Sequence, residues 1–203
     1  MLEACKLAPL FFNRISRFVE ELVTWGSHVN LTAHPDNPDE LTFHIIDSLA
    51  PLFAVPSRPL FTPGSRVLDL GSGAGFPGLV LAAAIDADFT LVEARRKRAS
   101  FLSVAAARME LRNVSVRCAR ASAETIESGL DTVTSRAVGE EGFEVMGRVL
   151  RKDASAILWA NPEQAINLAR AERAGLAYPE RYEYEVPRGI ESARRVLIVM
   201  RKR

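Results

Sequence analysis

Residues 66 to 78, Arg-Val-Leu-Asp-Leu-Gly-Ser-Gly-Ala-Gly-Phe-Pro-Gly, restrict what this chain can fold into more than any other stretch. Val67, Leu68 and Leu70 form a short apolar run that predicts a buried strand. Gly71, Gly73, Gly75 and Gly78 follow, and the Ala-rich segment Leu79 to Ile85 then predicts a helix. The order is strand, glycine turn, helix. Glycine is needed where the backbone takes a positive φ and where a ligand must approach without meeting a Cβ. The free N–H groups of the turn and of the helix start then face that ligand. In α/β proteins, turns of this kind at the carboxyl end of the sheet hold nucleotide-type cofactors.

Strands and helices alternate from there. The patterns predict strands at about 66–70, 88–93, 114–118, 131–135 and 154–159, and helices at about 75–86, 96–110, 122–128, 139–150 and 161–174. Such alternation predicts a mostly parallel sheet with helices on both faces. The runs Tyr182 to Val186 and Arg195 to Met200 are too close in sequence to hold a crossover helix, so they are expected to pair antiparallel. Ahead of the turn, residues 7–31 and about 39–53 carry apolar residues at helical spacing. Turn chemistry from Asn30 to Pro38 separates them, and the stretch Val55 to Gly64 reads as a linker. The expectation is an N-terminal helical extension, 1–60, packed on an α/β Rossmann-like domain, 61–203, whose seven-stranded sheet ends in a hairpin.

Composition excludes some partners. With 48% hydrophobic residues the chain can bury a sizeable core, and a net charge of +1 means that any basic surface must be local. No apolar run approaches the roughly 20 residues that a membrane span needs. Lys6 and Arg14 interrupt the N-terminal apolar residues, so no signal peptide is expected and the chain is read as cytoplasmic and monomeric. Cys5 and Cys118 have no metal-type spacing and are read as reduced thiols, with Cys118 in the core. No metal is expected.

Two cofactor readings compete for the turn. Gly73-Ala74-Gly75-Phe76-Pro77-Gly78 fits the dinucleotide pattern literally, and Glu93 lies twenty residues beyond Gly73. In that fold, however, the first glycine comes directly off the strand. Here that residue is Gly71, and its third position falls on Phe76. The alternative pattern, Asp69-x-Gly71-x-Gly73-x-Gly75, looks like the first motif of Rossmann-like methyltransferases. S-adenosylmethionine has a cationic methionine end, which suits Asp69 directly or through water, and two ribose hydroxyls, which suit Glu93. Ala123-Glu124, after strand three, would lie beside the adenine. No separate substrate domain is left for a dehydrogenase, and the terminal hairpin also favours the methyltransferase.

The substrate motifs narrow the chemistry. Exocyclic-amine methylation usually uses Asn/Asp-Pro-Pro-aromatic after strand four, where this chain has Ser135-Arg136-Ala137-Val138. Asn161-Pro162 reads as a helix start. Carbon methylation of pyrimidines needs a nucleophilic cysteine, and Cys118 is misplaced for it. A nucleophile with a free lone pair, such as guanine N7, remains; it needs no general base.

Trp25…Asn30-Leu31-Thr32, His44-Ile45-Ile46-Asp47-Ser48, the motif from Asp69 to Gly78, Thr90 to Glu93 with Lys97-Arg98 and Phe101-Leu102, Ala123-Glu124 and Ser135-Arg136-Ala137 together resemble the ribosomal RNA small subunit methyltransferase G family, also called the glucose-inhibited division protein B family. The resemblance covers about residues 25–137, with an echo in Arg194 to Met200. It implies S-adenosylmethionine-dependent N7 methylation of one guanine in bacterial 16S ribosomal RNA, the partner being that RNA or the small ribosomal subunit. It implies cofactor contacts from Gly71, Phe76, Glu93, Ala123, Glu124 and Arg136, and the pattern adds Asp69, Ser72 and Gly73. The family often has Arg or Lys where this chain has Phe43, and usually a lysine within the stretch that reads Leu158-Trp159-Ala160-Asn161 here. A non-catalytic cofactor-binding RNA or ribosome-assembly factor on the same fold is the alternative.

Four further features need a role. His44 is a catalytic candidate or a structural histidine joining the helical extension to the sheet. Arg136 is a catalytic candidate too, besides being a cofactor or phosphate contact. Arg95, Arg96 and Lys97 sit where RNA phosphates would dock, although cations at a helix start oppose its dipole. Trp159 either stacks on an RNA base or belongs to the core.

Overall fold

The computed structural model describes residues 7–55, 59–122, 126–136, 139–164 and 166–203. Seven strands form one sheet: β1 (Ser65–Leu70), β2 (Ala87–Glu93), β3 (Val114–Cys118), β4 (Leu130–Ser135), β5 (Leu150–Ala160), β6 (Leu176–Arg188) and β7 (Glu191–Lys202). Their order is β3-β2-β1-β4-β5-β7-β6. The first five run parallel, and β7 pairs antiparallel with both β5 and β6. The order reverses between β1 and β4, so the turn after β1 opens at the switch point, where such sheets take ligands.

Side chains alternate across the sheet. Val67, Phe89 and Leu91 point into one core with the helices α1 (Phe11–Gly26), α4 (Gly78–Ala84) and α5 (Arg96–Arg108). Leu68, Val92 and Val133 point into the other, with α6 (Glu140–Val149) and α7 (Leu168–Arg173). Every residue of α4 is buried, which is why its sequence is small and apolar throughout. Phe18 and Leu22 of α1 share the first core with Leu79, Phe101 and Phe76, so the N-terminal helices and the sheet have one continuous interior. None of the described helices is long and apolar enough to cross a membrane.

The helices differ from expectation for identifiable reasons. α1 stops at Gly26, because the following turn folds back: a Cβ at Gly26 would sit 2.4 Å from Pro35 Cβ. The second amphipathic segment divides into α2 (Pro38–Ser48) and α3 (Ala50–Phe53). Asn37 caps α2, its Oδ1 accepting from Asp39 and Glu40 N at 2.9 and 3.2 Å. Pro51 has no N–H to donate to the carbonyl of Asp47 four residues earlier, and that carbonyl accepts from the Trp159 indole instead, at 2.7 Å. α4 begins at Gly78 because Gly75 holds φ +91 ahead of it. Asn161-Pro162 lies in a turn and starts no helix; α7 begins only after Asn167, whose side chain accepts from Arg170 N at 3.1 Å. Of the helix expected near 122–128, residues 123–125 lie outside the described residues and the rest is not helical. Cys118 is exposed rather than core, since β3 is an edge strand.

Gly147 of α6 lies against the carbonyl of Ala174, and an added Cβ would come within 1.9 Å of that oxygen. Gly→Ala inside a helix ordinarily stabilises by about 0.5–1 kcal/mol. At Gly147 the clash reverses the sign, and Gly147→Ala is expected to destabilise by about 1–3 kcal/mol in urea unfolding. A more stable variant would show that α6 and α7 can separate.

Candidate functional site

The turn after β1 combines three glycines with left-handed backbones: Gly71 at φ +70, Gly73 at +55 and Gly75 at +91. They are glycine for different reasons. A Cβ on Gly75 would strike Leu79 Cδ1 at 2.7 Å, whereas one on Gly71 would point into open space at the carboxyl edge. The N–H groups of Gly71 and Ser72 donate to Val92 O at 2.9 and 3.1 Å, and Ser72 Oγ donates to Asp69 O at 3.0 Å, so the turn is tied to β2 and β1.

Glu93 ends β2 beside it. Its Oε2 accepts from Gly73 N at 3.0 Å and its Oε1 from Arg95 N at 2.7 Å, which fixes both oxygens at the lip of the turn. Glu93 is 6% exposed, and its carboxylate has lone pairs left over for a diol. Asp69, fully buried, faces inward. Its Oδ1 accepts from Thr134 Oγ1 at 2.8 Å, and its Oδ2 lies against Gly78, where an added Cβ would be 2.6 Å away. Burial pushes this carboxyl up to about 6, against the Thr134 hydroxyl and the charge of Arg136. Asp69 therefore braces β1, β4 and the start of α4 from beneath the turn.

A second cluster lies across the switch point, around Asp47 of α2. Asp47 is fully buried. Its Oδ1 accepts from Tyr184 Oη at 2.6 Å and Arg195 Nε at 3.2 Å; its Oδ2 accepts from Arg195 Nη2 at 3.4 Å and forms an ion pair with Arg136 Nη2 at 3.2 Å. Arg136 Nη2 also donates to His44 O at 3.0 Å and Ser48 Oγ at 2.7 Å. Burial and the Asp47 charge push the Tyr184 hydroxyl far up, so it stays a donor. Two guanidiniums against one carboxylate leave this cluster with a positive charge.

His44 stands between the two clusters. Its ring lies 5.2 Å from that of Phe76, and its Nδ1 is 3.4 Å from Arg136 Nη1. Burial, followed by the Arg136 charge, pushes the imidazole down to about 4. It is neutral near pH 7, with Nδ1 as the acceptor and the proton on Nε2. The Arg136 guanidinium lies 5.6 Å from the centre of the Phe76 ring. Trp159 is 2% exposed and donates to Asp47 O. It is a core residue and offers no platform to a base. Arg95, Arg96 and Lys97 are exposed at the same edge, while Ala123 and Glu124 lie outside the described residues.

The structure adds Asp47, Tyr184, Arg195 and Arg98 to the site. A signal for Asp47 exists: it stands one helical turn after the apolar Phe43, on the same buried side of α2. Tyr184 and Arg195 are register partners across the hairpin, which the sequence alone does not reveal. Arg98 donates from Nε and Nη2 to Asn30 O at 3.1 and 2.6 Å, holding the Asn30-Leu31-Thr32 segment beside the glycine turn. Among the described residues no cluster of His, Cys, Asp or Glu could hold a metal ion.

Removing one partner from a buried ion pair costs about 3–5 kcal/mol, so Asp47→Ala is expected to destabilise by about 3 kcal/mol or more in urea; a loss under about 1 would show that solvent takes over the arginines. His44 adds a pH dependence. Between about 6.5 and 4 the unfolded chain binds the imidazole proton and the folded chain does not, so stability is lost as pH falls through that window. Asp69 acts oppositely, because its folded carboxyl holds a proton that the unfolded one releases. Comparison with His44→Gln isolates the first effect: relative to that variant, the parent chain is expected to lose up to about 1.4 kcal/mol per pH unit on acidification. Parallel pH profiles would contradict a neutral His44.

Known proteins match this geometry. The family model described as rRNA small subunit methyltransferase G matches residues 12–179. The Ribosomal RNA small subunit methyltransferase G of Wolinella succinogenes is 40% identical over 126 residues, which cover 62% of this chain and 61% of that protein. The protein of that name from Solibacter usitatus is 34% identical over 177 residues, covering 83% and 81%. Among solved structures, Aeropyrum pernix fibrillarin with natively bound S-adenosyl-L-methionine superposes with a TM-score of 0.55 at 14% identity, covering 77% of this chain and 73% of that one; that likeness is one of fold. The family match spans the N-terminal helices, the glycine turn, Glu93, His44, Asp47 and Arg136, while Tyr184 and Arg195 lie beyond its end at residue 179, and the chain belongs to the rRNA small subunit methyltransferase G family.

Proposed function

We propose that this chain transfers a methyl group from S-adenosylmethionine to N7 of a guanine in 16S ribosomal RNA. The observation that carries this reading is the family match over residues 12–179, centred on a left-handed glycine turn with an acid clamped at its lip. The residues suit the cofactor: Gly71 leaves open space where a Cβ would stand, and Glu93 retains acceptor capacity for a ribose. Gly71, Ser72, Gly73, Phe76, Glu93 and Arg136, with Ala123 and Glu124, are proposed to line the cofactor. Asp69 is proposed to act through the turn it braces. When bound, the cofactor supplies an electrophilic methyl on a sulfonium.

The chain's own work is then positioning and exclusion of water. Guanine N7 carries its lone pair without losing a proton, so no base is required. The half-buried neutral His44 and the permanently charged Arg136 fit such a site, since neither takes up a proton at neutral pH. The half-buried His44 ring, backed by the buried Phe76 ring 5.2 Å away, is proposed to lie beside the base at the switch point. Arg95, Arg96 and Lys97 are proposed to contact phosphates, which position the RNA without reading its sequence.

The test is a methyl-transfer assay on small subunits that lack the modification, followed by mapping of the modified nucleotide. The expected product is one N7-methylated guanine. Tight S-adenosylhomocysteine binding with no methylated guanine would instead mark a non-catalytic binder. Glu93→Ala is expected to weaken cofactor binding by more than about 1 kcal/mol in calorimetry, and an unchanged dissociation constant would show that the ribose contact is misplaced.

A further inference from the structure

A cavity of about 450 Å³ opens where the last turn of α1 meets the first turn of α5, lined by Thr24, Trp25, His28, Val29 and Lys97. It lies on the outer side of the α1–α5 contact, separate from the glycine turn. Its walls are unusual for a surface hollow. The Trp25 indole is half-buried, with Phe101 meeting it edge-on at 5.8 Å and 64°, so ring surface remains available. Among the described residues its N–H has no hydrogen-bond partner. His28 brings an imidazole, with Ser27 Oγ 2.6 Å from its Nδ1, and Lys97 brings an exposed ammonium.

The charge around the cavity has one sign. Arg95, Arg96 and Lys97 stand in succession at the start of α5, and Arg120 stands just after β3; all four are exposed. Among the described residues, none of these side chains has an acidic partner or a hydrogen bond. Some exposed arginines elsewhere are paired, as Arg66 is with Glu127, Arg151 with Asp131 and Arg188 with Glu40; Arg112, Arg148 and Arg173 are exposed as well but do not line this cavity. Three cations at a helix N-terminus also work against the helix dipole. An anion chain running along this rim would relieve both costs.

An aromatic ring, polar edges and a row of unpaired cations are the combination that single-stranded nucleic acid takes: bases stack on the ring, and phosphates lie along the cations. We infer that the Trp25–His28–Lys97 cavity is a nucleobase subsite for single-stranded RNA, with the flanking phosphates on Arg95, Arg96 and Arg120. The inference rests on the proposed RNA substrate and adds to it a second point of attachment, for a nucleotide other than the methylated guanine. The cavity lies at the carboxyl edge of the sheet, as does the glycine turn. The Arg98–Asn30 bonds join the two places, since Arg98 follows Lys97 and its Nη1 lies 3.9 Å from the position of a Cβ on Gly73.

The two tryptophans make the test direct, because Trp159 is buried and Trp25 is not. A short single-stranded oligouridine is titrated into the chain, alongside an abasic oligomer of the same number of phosphates. Oligouridine is expected to quench tryptophan emission in the parent chain and not in Trp25→Phe, whereas the abasic oligomer binds without quenching. Loss of the ring in Trp25→Leu is expected to weaken oligouridine binding by about tenfold, within the range of one stacked base, with partial rescue in Trp25→Phe; the fold of each variant is checked by thermal unfolding. Oligouridine that binds without quenching, or equally well to Trp25→Leu, overturns the subsite. If that chain still methylates guanine, the proposed function stands and the subsite alone fails. A parent chain that binds no S-adenosylhomocysteine removes both.

Discussion

One buried carboxylate, Asp47, holds the candidate site together. It lies on a helix ahead of the sheet, yet its partners come from the end of β4 and from both strands of the hairpin. A charge without solvent is tolerated only when paired and hydrogen-bonded. Asp47 meets that requirement with two guanidiniums and a phenol, and the arrangement of all three is fixed in return. Even its backbone carbonyl is used, freed by Pro51 and taken up by Trp159. The position of α2 against the sheet thus follows from satisfying one carboxylate, and with it the position of His44.

The glycine turn is organised on the same logic but through the backbone. Its N–H groups go to Val92 and Glu93, while Asp69 fills the space below. The two acids divide the work. Glu93 stands at the lip with both oxygens held and some acceptor capacity left. Asp69 is sealed inside, where burial raises its carboxyl to about 6. Between the acids on one side and the arginine cluster on the other, Phe76 and His44 supply a neutral aromatic wall.

Much of this was legible in the sequence, because it depends on local pattern. The alternation of strands and helices, the span of β3 at 114–118 and the closing hairpin follow from periodicity and turn chemistry. What was not legible depends on distant partners. Trp159 is a core residue because β5 lies inside the sheet and its indole meets a carbonyl 112 residues away. Cys118 is exposed because β3 takes the edge, a fact of strand order rather than of local composition. The division of α2 from α3 was locally readable from Pro51, whereas the late start of α7 needed the Asn167 cap to be preferred over Asn161-Pro162.

The reach of the Asp47 cluster has a consequence for how the chain acquires its site. Asp47 and Arg195 are 148 residues apart, so during synthesis the helix carrying the carboxylate is made long before the hairpin that completes its coordination. Contacts of such sequence separation form late and slowly. Until then one of the two guanidiniums and the phenol are missing, and the carboxylate must stay hydrated. Over that interval the helix that carries His44 lacks the bonds that fix its carboxylate to the hairpin. A protein whose proposed substrate is part of the ribosome would in this way be assembled without a finished site while it is still attached to one.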